Sequence, residues 1–386
     1  MADPFAPYRR VGWAMAALIG LMALAEFTWN WVQPSGRDFI SFWGASQFAL
    51  SGQPAMAYDN QALHALQSTI VAFEPGGEMP FPYAPFFLLL VMPFGLASFP
   101  LGLILWSLAG YALYLLVARR VSPTGALLAA AFPPVFANAA IGQNGFVIAG
   151  LFLGGLALIE RRPFLAGAVL GCLILKPQLA LMLPVAMLAG KHWQVIGGAV
   201  FSSILVIIAG FLIFGPAATA AWLDQLSLYA IIARDGLVGW HKFVSIYAAG
   251  RQVGLSETLA FVLHGAVALG AAIAVWRIWR SGSDWPARFA ILAAATMLAS
   301  PYLYVYDALI LLPAFAYLID RRVPAPFIAL AWLLPIATIV QVASGSWPVN
   351  VGPLPAVILT ILVWREWSKA GVAAERPHAT SAMIGN

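Results

Sequence analysis

Three ionisable side chains of this sequence lie in or beside long apolar runs, where charge is costly. Asp38 opens the aromatic-rich segment DFISFWGASQFAL, Lys176 interrupts the apolar run LILKPQLAL, and Asp307 ends the tyrosine-rich motif SPYLYVYD. Because ionisable groups at membrane depth are expensive, each is a functional candidate. A carboxylate can take a proton from an attacking hydroxyl as a general base, and a lysine can bind a phosphate or pyrophosphate.

Each of the three residues also has an ordinary structural interpretation. Asp38 could cap the helix that begins at Phe39, and spacing alone favours this interpretation. Lys176 could pair with Asp38, Asp307 or another buried carboxylate, because a buried ammonium without a partner would lose its proton. Phosphate binding is slightly favoured for Lys176, since Pro177 breaks the helix there. For Asp307, taken alone, an acid that stabilises a helix start is favoured.

Other polar or aromatic residues could bind a sugar or a headgroup. The amides of GQNG at 142–145 could hydrogen-bond sugar hydroxyls, although the motif is also a good turn between helices. The segment RDGLVGWHKF at 234–243 could bind an anionic headgroup and stack a sugar on its tryptophan, or it could be an interfacial anchor. With Asp38 as the catalytic candidate, the binding candidates are Tyr83, Gln143, Asn144, Lys176, Gln178, Trp240, His241, Lys242, Tyr302 and Asp307.

The composition decides which elements must position these residues. The 386 residues are 62% hydrophobic and only 9% charged, whereas soluble domains carry about 25% charged residues. Such a chain has the bilayer as its solvent, where only helices or a closed barrel satisfy the backbone. Long apolar runs without strict alternation favour helices. The sequence therefore predicts an all-α integral membrane protein, a polytopic bundle of roughly 10 to 13 transmembrane or half-depth helices.

The charge pattern predicts which face carries the candidates. Basic residues form short clusters between apolar runs, and the positive-inside rule places these clusters in the cytoplasm. The candidates then collect on the opposite face, which predicts a multi-pass protein of the plasma or inner membrane with its site on the periplasmic or outer side. Residues 11–32 are read as a retained first span. One membrane domain is predicted at 1–370, its first outer loop at 33–82, a disordered cytoplasmic tail at 371–386, and further outer turns at 142–145, 175–179, 215–255, 300–307 and 344–353.

Two segments do not fit a simple series of spans. Prolines interrupt residues 83–118, which predicts a short helix in the outer leaflet and then a full span at 101–118, or else two full spans. Residues 163–190 are too few for two full spans, so half-depth helices are predicted to meet at Lys176 and Pro177. Irregular backbone at that depth is tolerated only where it is buried in protein or lines a polar cavity.

The segment after Asp38 is predicted to be an interfacial helix. Phe39, Phe42, Trp43 and Leu50 fall on one face at helical spacing. An apolar face of this kind predicts a helix lying flat at the membrane surface.

Several other classes of function are disfavoured. The net charge of +5 comes from the topology clusters, so it does not indicate nucleic acid binding. The single cysteine, Cys172, permits no intramolecular disulfide and makes a cysteine metal site improbable. The sequence contains no Walker motif, no GxGxxG after a strand, no HExxH and no clustered DxD pair. No metal site and no cofactor are predicted; a divalent cation is compatible with the sequence but not indicated by it.

Several of these segments, taken together and in order, resemble glycosyltransferase family 87. The resemblance covers roughly residues 10 to 365, and each block is degenerate on its own. The second block departs from the family pattern, because Ala84 stands where a second proline is common. The blocks are RDFISFWGASQFALSGQPAMAYD, FPYAPFFLLLVMPFGL, NAAIGQNGF, RRPFLAGAVLGCLILKPQLALMLP and SPYLYVYDALILL.

The resemblance implies a GT-C class fold and a lipid-linked sugar donor, as in polyprenyl-phosphate-mannose-dependent α-mannosyltransferases. The carboxylate early in the first outer loop, here Asp38, is then the expected catalytic base, and Lys176 is expected to face the donor phosphate. The expected partners are a polyprenyl-phosphate sugar, a glycan or glycolipid acceptor and the lipid bilayer. A single displacement would invert the anomeric carbon and give an α-linked product from a β-linked donor.

Two other functions use the same polar residues. A transporter or flippase for a lipid-linked or amphiphilic substrate would need the cavity but no chemistry. Transporters often show inverted repeats and polar residues throughout the bilayer depth, whereas here the candidates gather on one face. An inactive scaffold subunit of an envelope-polysaccharide pathway is the third possibility, and the presence of Asp38 argues mildly against it.

Overall fold

The computed structural model is helical, in agreement with the prediction from composition. Across its described part it contains no β-strand, only an isolated antiparallel bridge between Phe243 and Tyr304. The described residues are 6–35, 38–73, 77, 79–122, 124–345 and 347–374.

Seventeen α-helices and several short 3₁₀ helices make up this part of the chain. The α-helices are α1 Ala6–Val32, α2 Phe39–Leu50, α3 Asn60–Gln67, α4 Leu88–Gly95, α5 Phe99–Val121, α6 Gly125–Ala131, α7 Pro134–Ile141, α8 Gly145–Leu158, α9 Pro163–Gly171, α10 Leu183–Ala189, α11 Trp193–Arg234, α12 Ile246–Gln252, α13 Glu257–Arg280, α14 Trp285–Ala299, α15 Leu312–Asp320, α16 Ala325–Ser344 and α17 Leu354–Ala374. The 3₁₀ helices are Pro54–Tyr58, Pro85–Phe87, Cys172–Leu175, Pro177–Ala180, Trp240–Lys242 and Val305–Leu311.

Among the described helices, five are long and apolar enough to cross a bilayer, and further apolar helices are shorter than a span. The chain is therefore a multi-pass membrane protein. The long ones are Tyr8–Val32, Phe99–Val121, Trp193–Ile232, Glu257–Arg280 and Ala325–Ser344. The shorter ones are Pro85–Gly95, Gly145–Leu158, Pro163–Leu175, Pro177–Ala189 and Trp285–Ala299.

Both proline-interrupted regions break where the sequence predicts. The chain from Pro85 to Gly95 forms one short apolar segment, and the long helix α5 follows it, so the alternative of two full spans is wrong. Around Lys176, one 3₁₀ helix ends at Leu175 and the next begins at Pro177. Proline cannot donate a backbone hydrogen bond and disfavours helical backbone in the residue before it, so the helix stops here.

The region predicted as an outer turn at 215–255 is more helical than expected. Helix α11 bends at Gly215, whose φ of 80° and ψ of 171° are not helical, and then continues to Arg234. The continuation packs on the first outer loop: Trp222 Nε1 donates to the Pro82 carbonyl at 3.2 Å.

Helix α2 forms as predicted but does not present its aromatic face to lipid. Phe39 and Phe42 are buried, Trp43 is half-buried, and only Leu50 is exposed. The rings pack inside the protein, and the Phe42 ring meets that of Trp106 of α5 edge to face at 5.9 Å. Helices α4 and α5 cover this face, and aromatic pairs of this kind contribute about 0.5–1.5 kcal/mol each. The prediction that this face contacts lipid is therefore wrong, whereas a position of α2 at the membrane surface stays a prediction.

The last helix, α17, continues to Ala374, which overlaps the start of the tail predicted at 371–386. Residues 375–386 of that tail lie outside the described residues. The single domain predicted at 1–370 stays a prediction.

Candidate functional site

Asp38 directly precedes α2, but its side chain does not cap the helix. Its backbone is helical, with φ −56° and ψ −28°, and the side chain makes no capping hydrogen bond. Instead, Oδ2 of Asp38 accepts a hydrogen bond from Nε2 of Gln143 at 2.8 Å. The capping interpretation is therefore wrong. The half-buried carboxylate is held by a residue more than a hundred positions away in the chain.

The turn that carries Gln143 is packed directly against the start of α2. Helix α7 ends at Gly142 in the left-handed conformation, with φ +69°. The Nε1 group of Trp106 donates to the Gly142 carbonyl at 2.9 Å. A Cβ added at Gly142 would lie 2.6 Å from the Cβ of Phe39, so glycine is needed for this close approach. The approach sets the distance between Asp38 and the turn.

The Gln143 amide links three parts of the site. Its Oε1 atom accepts from the backbone N–H of Asn144 at 3.1 Å and from the Tyr83 hydroxyl at 3.4 Å. With the oxygen directed to these donors, the Nε2 group is directed to Asp38. A hydrogen bond donated to a carboxylate favours its ionised form, which is the form a general base needs.

Asn144 is buried and its amide is unused. The residue is 0% exposed, and within the described part of the chain neither Nδ2 nor Oδ1 has a hydrogen-bond partner. The amide lies next to the Tyr83 hydroxyl, outside hydrogen-bond geometry. A buried polar atom without a partner costs about 1–3 kcal/mol, so this amide is suited to bind a ligand or water that completes its hydrogen bonds.

Lys176 and Asp307 form a buried ion pair on the other side of the site. Nζ of Lys176 lies 2.5 Å from Oδ1 of Asp307, and both side chains are almost wholly buried. The second carboxylate oxygen of Asp307 accepts from the backbone N–H of Tyr304 at 3.0 Å. The Lys176 ammonium also lies 4.7 Å from the ring centre of Tyr306. The structure thus shows the ion pair that the sequence left as the alternative to phosphate binding.

Two tyrosines connect the two halves of the site. Burial raises the pKa of the Tyr83 hydroxyl, and the neighbouring charges of Asp307 and Asp38 raise it further. Burial also raises the pKa of the Tyr304 hydroxyl, and the charges of Asp38 and, to a smaller extent, Asp307 raise it further. Both hydroxyls therefore stay protonated at neutral pH and act as hydrogen-bond donors. One polar cluster thus contains Asp38, Tyr83, Gln143, Asn144, Lys176, Tyr304 and Asp307.

The basic segment at 240–244 borders this cluster through backbone pairing. The Val244 N–H donates to the Leu303 carbonyl at 2.7 Å, and the ring of Phe243 lies 5.0 Å from that of Tyr304. His241 and Lys242, both half-buried, precede this pair on a 3₁₀ helix. We call His241 and Lys242 the rim residues because they directly precede this pair in the chain, and no described contact joins them to Asp38.

Trp240 and Tyr302 have their described ring contacts with residues outside the polar cluster. The Trp240 ring lies 5.2 Å from the Arg251 guanidinium and 5.5 Å from the Tyr247 ring. Tyr302 packs edge to face on Tyr247 at 6.0 Å. Gln178 is half-buried on the 3₁₀ helix that follows Lys176. Trp240 therefore contacts protein groups in the way expected of an anchor, and its predicted stacking on a sugar stays a prediction.

The charge state of His241 limits its part in binding an anion. Partial burial lowers the pKa of the imidazole, and the neighbouring Lys242 ammonium lowers it further. At neutral pH the ring is therefore mainly uncharged, and Lys242 carries the positive charge of this segment.

In the described ranges, no three His, Cys, Asp or Glu side chains lie close enough together to hold a metal ion. Asp38 and Asp307 are the two carboxylates of the cluster, and Lys176 pairs with the second.

The sequence profile of glycosyltransferase family 87 matches residues 81–301, which is more than half of the chain. The chain belongs to glycosyltransferase family 87. No curated protein and no solved structure matches it. The family 87 match includes Tyr83, Gln143, Asn144 and Lys176, whereas Asp38 precedes it and Asp307 follows it. Family membership makes the chain a membrane glycosyltransferase.

Two supporting residues of this family 87 site were not predicted as site residues. Trp106 holds the 142–145 turn from α5, and Oδ1 of Asn138 accepts from the Gly145 N–H at 2.8 Å. In the sequence Trp106 resembles any aromatic residue of a span. Asn138 has a weak signal, because it is a polar residue within an apolar helix that ends at a glycine turn.

Proposed function

We propose that this family 87 glycosyltransferase moves a hexose, with mannose as the first candidate, from a polyprenyl-phosphate donor to an acceptor hydroxyl. The reaction takes place on the outer or periplasmic face of the cell membrane, and the GT-C class fold expected from the resemblance is part of the same proposal. The observation that supports it best is the Asp38 carboxylate, which is half-buried, not used as a cap and held by Gln143 at 2.8 Å.

Asp38 is the proposed general base of a single displacement. The acceptor oxygen attacks the anomeric carbon while its proton passes to the Asp38 carboxylate. The bond between the anomeric carbon and the phosphate oxygen breaks, and its electron pair leaves with the polyprenyl phosphate. Attack from the face opposite the leaving group inverts the anomeric centre. A phosphate monoester is a good leaving group, so the base and the positioning of the two substrates can supply the catalysis.

The charge of the cluster bears on how the donor phosphate is bound. The positive charge of Lys176 is balanced by the negative charge of Asp307, so the ion pair adds no net attraction for an anion. In the proposal Lys242 on the rim meets the phosphate charge. Lys176 positions Tyr304 through Asp307, and its direct contact with phosphate stays a prediction.

The unused amide of Asn144 and the two neighbouring tyrosine hydroxyls suit a sugar. The Asn144 amide offers one acceptor and two donor hydrogens, and the protonated hydroxyls of Tyr83 and Tyr304 are close by. Hexose hydroxyls both donate and accept, so they can complete these bonds. The proposal therefore places the transferred hexose between Asp38 and the two tyrosines.

Transfer of radiolabelled mannose from polyprenyl-phosphate mannose, in membranes with and without the protein, tests the function. The Asp38→Asn variant removes the base but keeps a group of the same size, so transfer is expected to fall by about 10²–10⁴-fold. Undiminished transfer by this variant would contradict the role of Asp38.

The transporter alternative predicts a different result in the same membranes. A transporter or flippase would change the side on which the labelled lipid is accessible without forming any glycosylated product. Membership of a glycosyltransferase family favours the enzyme.

A further inference from the structure

An apolar groove lies between α1, α5, α7 and α8, next to the turn that carries Gln143 and Asn144. Its volume is about 490 Å³, within the range of about 300–1,000 Å³ typical of small-molecule sites. The lining residues are Ile19, Gly20, Ala23, Leu24, Phe27, Thr28, Trp31, Ile104, Ser107, Leu108, Tyr111, Val135, Ala139 and Phe146.

The groove is open to the side that faces lipid. Only 6% of the most apolar part of α1 is buried, although this helix is long enough to span the bilayer. Leu24 and Trp31, which line the groove, are 62% and 57% exposed. A hydrocarbon chain can therefore enter sideways from the membrane without passing through water.

One end of the groove lies beside the 142–145 turn. Its lining residues Ala139 and Phe146 stand on either side of the 142–145 turn in the sequence. From Ile19 to Trp31 the α1 wall extends roughly 18 Å at the rise of an α-helix, more than half of a hydrocarbon core of about 30 Å. The groove thus follows the direction of a lipid chain and runs past the helices that flank the 142–145 turn.

The wall of the groove also contains an unsatisfied polar group. Ser107 is 3% exposed, and its hydroxyl has no hydrogen-bond partner among the described residues. The adjacent Trp106 donates to the Gly142 carbonyl, which fixes this part of α5 to the turn. The α5 wall of the groove is therefore joined directly to the turn.

We propose that this groove binds the hydrocarbon chain of the polyprenyl-phosphate donor and places its phosphate end at the 142–145 turn. The proposal rests on the proposed function, in which the donor is the substrate that must carry a lipid chain. A single groove of about 490 Å³ suits a lipid with one hydrocarbon chain, whereas a glycolipid with two acyl chains would leave one chain outside. Since the bilayer is as apolar as the groove, the groove contributes orientation and packing rather than hydrophobic transfer.

The Gly20→Leu variant tests the proposal by filling the groove. A Cβ at Gly20 has no atom within 4 Å, so the new side chain enters the groove without a backbone collision. Gly197→Leu is the matched control, because Gly197 of α11 is exposed, has equal space around its Cβ and lies outside the groove. Both variants are made in the full chain, and their thermal unfolding is compared with that of the wild type.

Two donors separate the groove from the reaction. With long-chain polyprenyl-phosphate mannose, Gly20→Leu is expected to lower kcat/KM for the donor about tenfold or more, since a displaced chain misplaces the phosphate. With short-chain citronellyl-phosphate mannose, the variant and the wild type are expected to react equally. Gly197→Leu is expected to match the wild type with both donors.

Other outcomes overturn the groove assignment. If Gly20→Leu matches the wild type with the long-chain donor, the groove holds bulk membrane lipid only. If it lowers transfer equally with both donors, or raises the acceptor KM alone, the groove does not bind the donor chain. A wild-type protein that transfers from neither donor contradicts the proposed function instead, so the two failures are distinguishable.

Discussion

The ammonium of Lys176 and the carboxylate of Asp307 lie 2.5 Å apart, although 131 positions separate them in the chain. The pair joins the break after Leu175 to the 3₁₀ helix that begins at Val305. Because Asp307 also accepts from the Tyr304 N–H, the pair fixes a tyrosine of the candidate site. In this structure the ion pair thus joins the helix interruption at Lys176 to the 3₁₀ helix that contains Asp307.

Removing one partner of this pair is expected to destabilise the protein strongly. Lys176→Met leaves a buried carboxylate unpaired, so the free energy of unfolding is expected to fall by about 3–5 kcal/mol. Thermal unfolding of the purified protein in detergent measures this loss. The double variant Lys176→Met with Asp307→Leu is expected to recover most of that loss, since buried pairs can be replaced by apolar residues of similar volume. A double variant as unstable as the single one would contradict this account.

The same double variant tests the phosphate role predicted for Lys176. If Lys176 acts only through Asp307 and Tyr304, the double variant is expected to have the same donor KM as the single variant Asp307→Leu, because loss of Asp307 alone already releases the Tyr304 N–H. A clearly higher donor KM in the double variant than in Asp307→Leu would instead assign Lys176 to the donor phosphate.

Asp38 and Asp59 form a matched pair that separates catalysis from capping. Asp59 accepts from the backbone N–H groups of Gln61 and Ala62, whereas Asp38 makes no such bond. Asp59→Ala is expected to lower the free energy of unfolding by about 1 kcal/mol and to preserve transfer. Asp38→Ala is expected to keep the stability of the wild type and to lose transfer. Thermal unfolding and mannose transfer are measured on both. Loss of stability without loss of transfer in Asp38→Ala would restore the capping interpretation.

Gln143→Leu is expected to weaken the base without unfolding the protein. Loss of the hydrogen bond to Asp38 removes a group that favours the ionised carboxylate, so the acidic limb of the pH–rate profile should move to higher pH. The rate at neutral pH should fall about 10- to 100-fold.

Gln47→Leu is the control for Gln143. It breaks a comparable bond to the Gly95 carbonyl, 2.6 Å long, away from Asp38. Its pH profile should stay in place, and a similar shift in both variants would mean that the effect is only structural.

Gly142→Ala is expected to destabilise the protein more than Gly52→Ala does. Both glycines have left-handed backbone conformation, with φ of +69° and +76°. Left-handed backbone costs an alanine about 1–2 kcal/mol at either position. At Gly142 the new Cβ also meets Phe39 and Leu103, whereas at Gly52 it meets nothing within 4 Å. Only Gly142→Ala should therefore reduce transfer as well, and equal losses of stability and rate would refute the close approach of the turn to α2.

The two basic residues of the rim are expected to differ at neutral pH. Burial and Lys242 lower the pKa of His241, so its ring gains a proton only below the ordinary histidine range. His241→Gln should leave the donor KM at neutral pH nearly unchanged, while Lys242→Gln should raise it. If the donor KM responds to His241→Gln and not to Lys242→Gln, the assignment of the phosphate charge to Lys242 is wrong.

The sequence alone determined the elements of this protein. Long apolar runs with few charges predict membrane helices. Pro177 interrupts the helix beside Lys176 because proline has no backbone N–H to donate and its ring clashes with the preceding turn. The sequence also predicts that the polar motifs gather on one face, because the positive-inside rule places the basic clusters on the opposite side. The helix interruption depends only on neighbouring residues, and the helical class and the distribution of charge depend only on the bilayer as solvent.

Only the tertiary structure decided what each polar side chain does. Asp38 has the sequence of a helix cap, yet Gln143 binds it; Lys176 has the sequence of an anion-binding residue, yet Asp307 neutralises it. Phe39 and Phe42 have the spacing of a lipid-facing surface, yet α4 and α5 cover them. The partner of a charge or a ring is a through-space contact between distant positions, and no local pattern in one sequence specifies it.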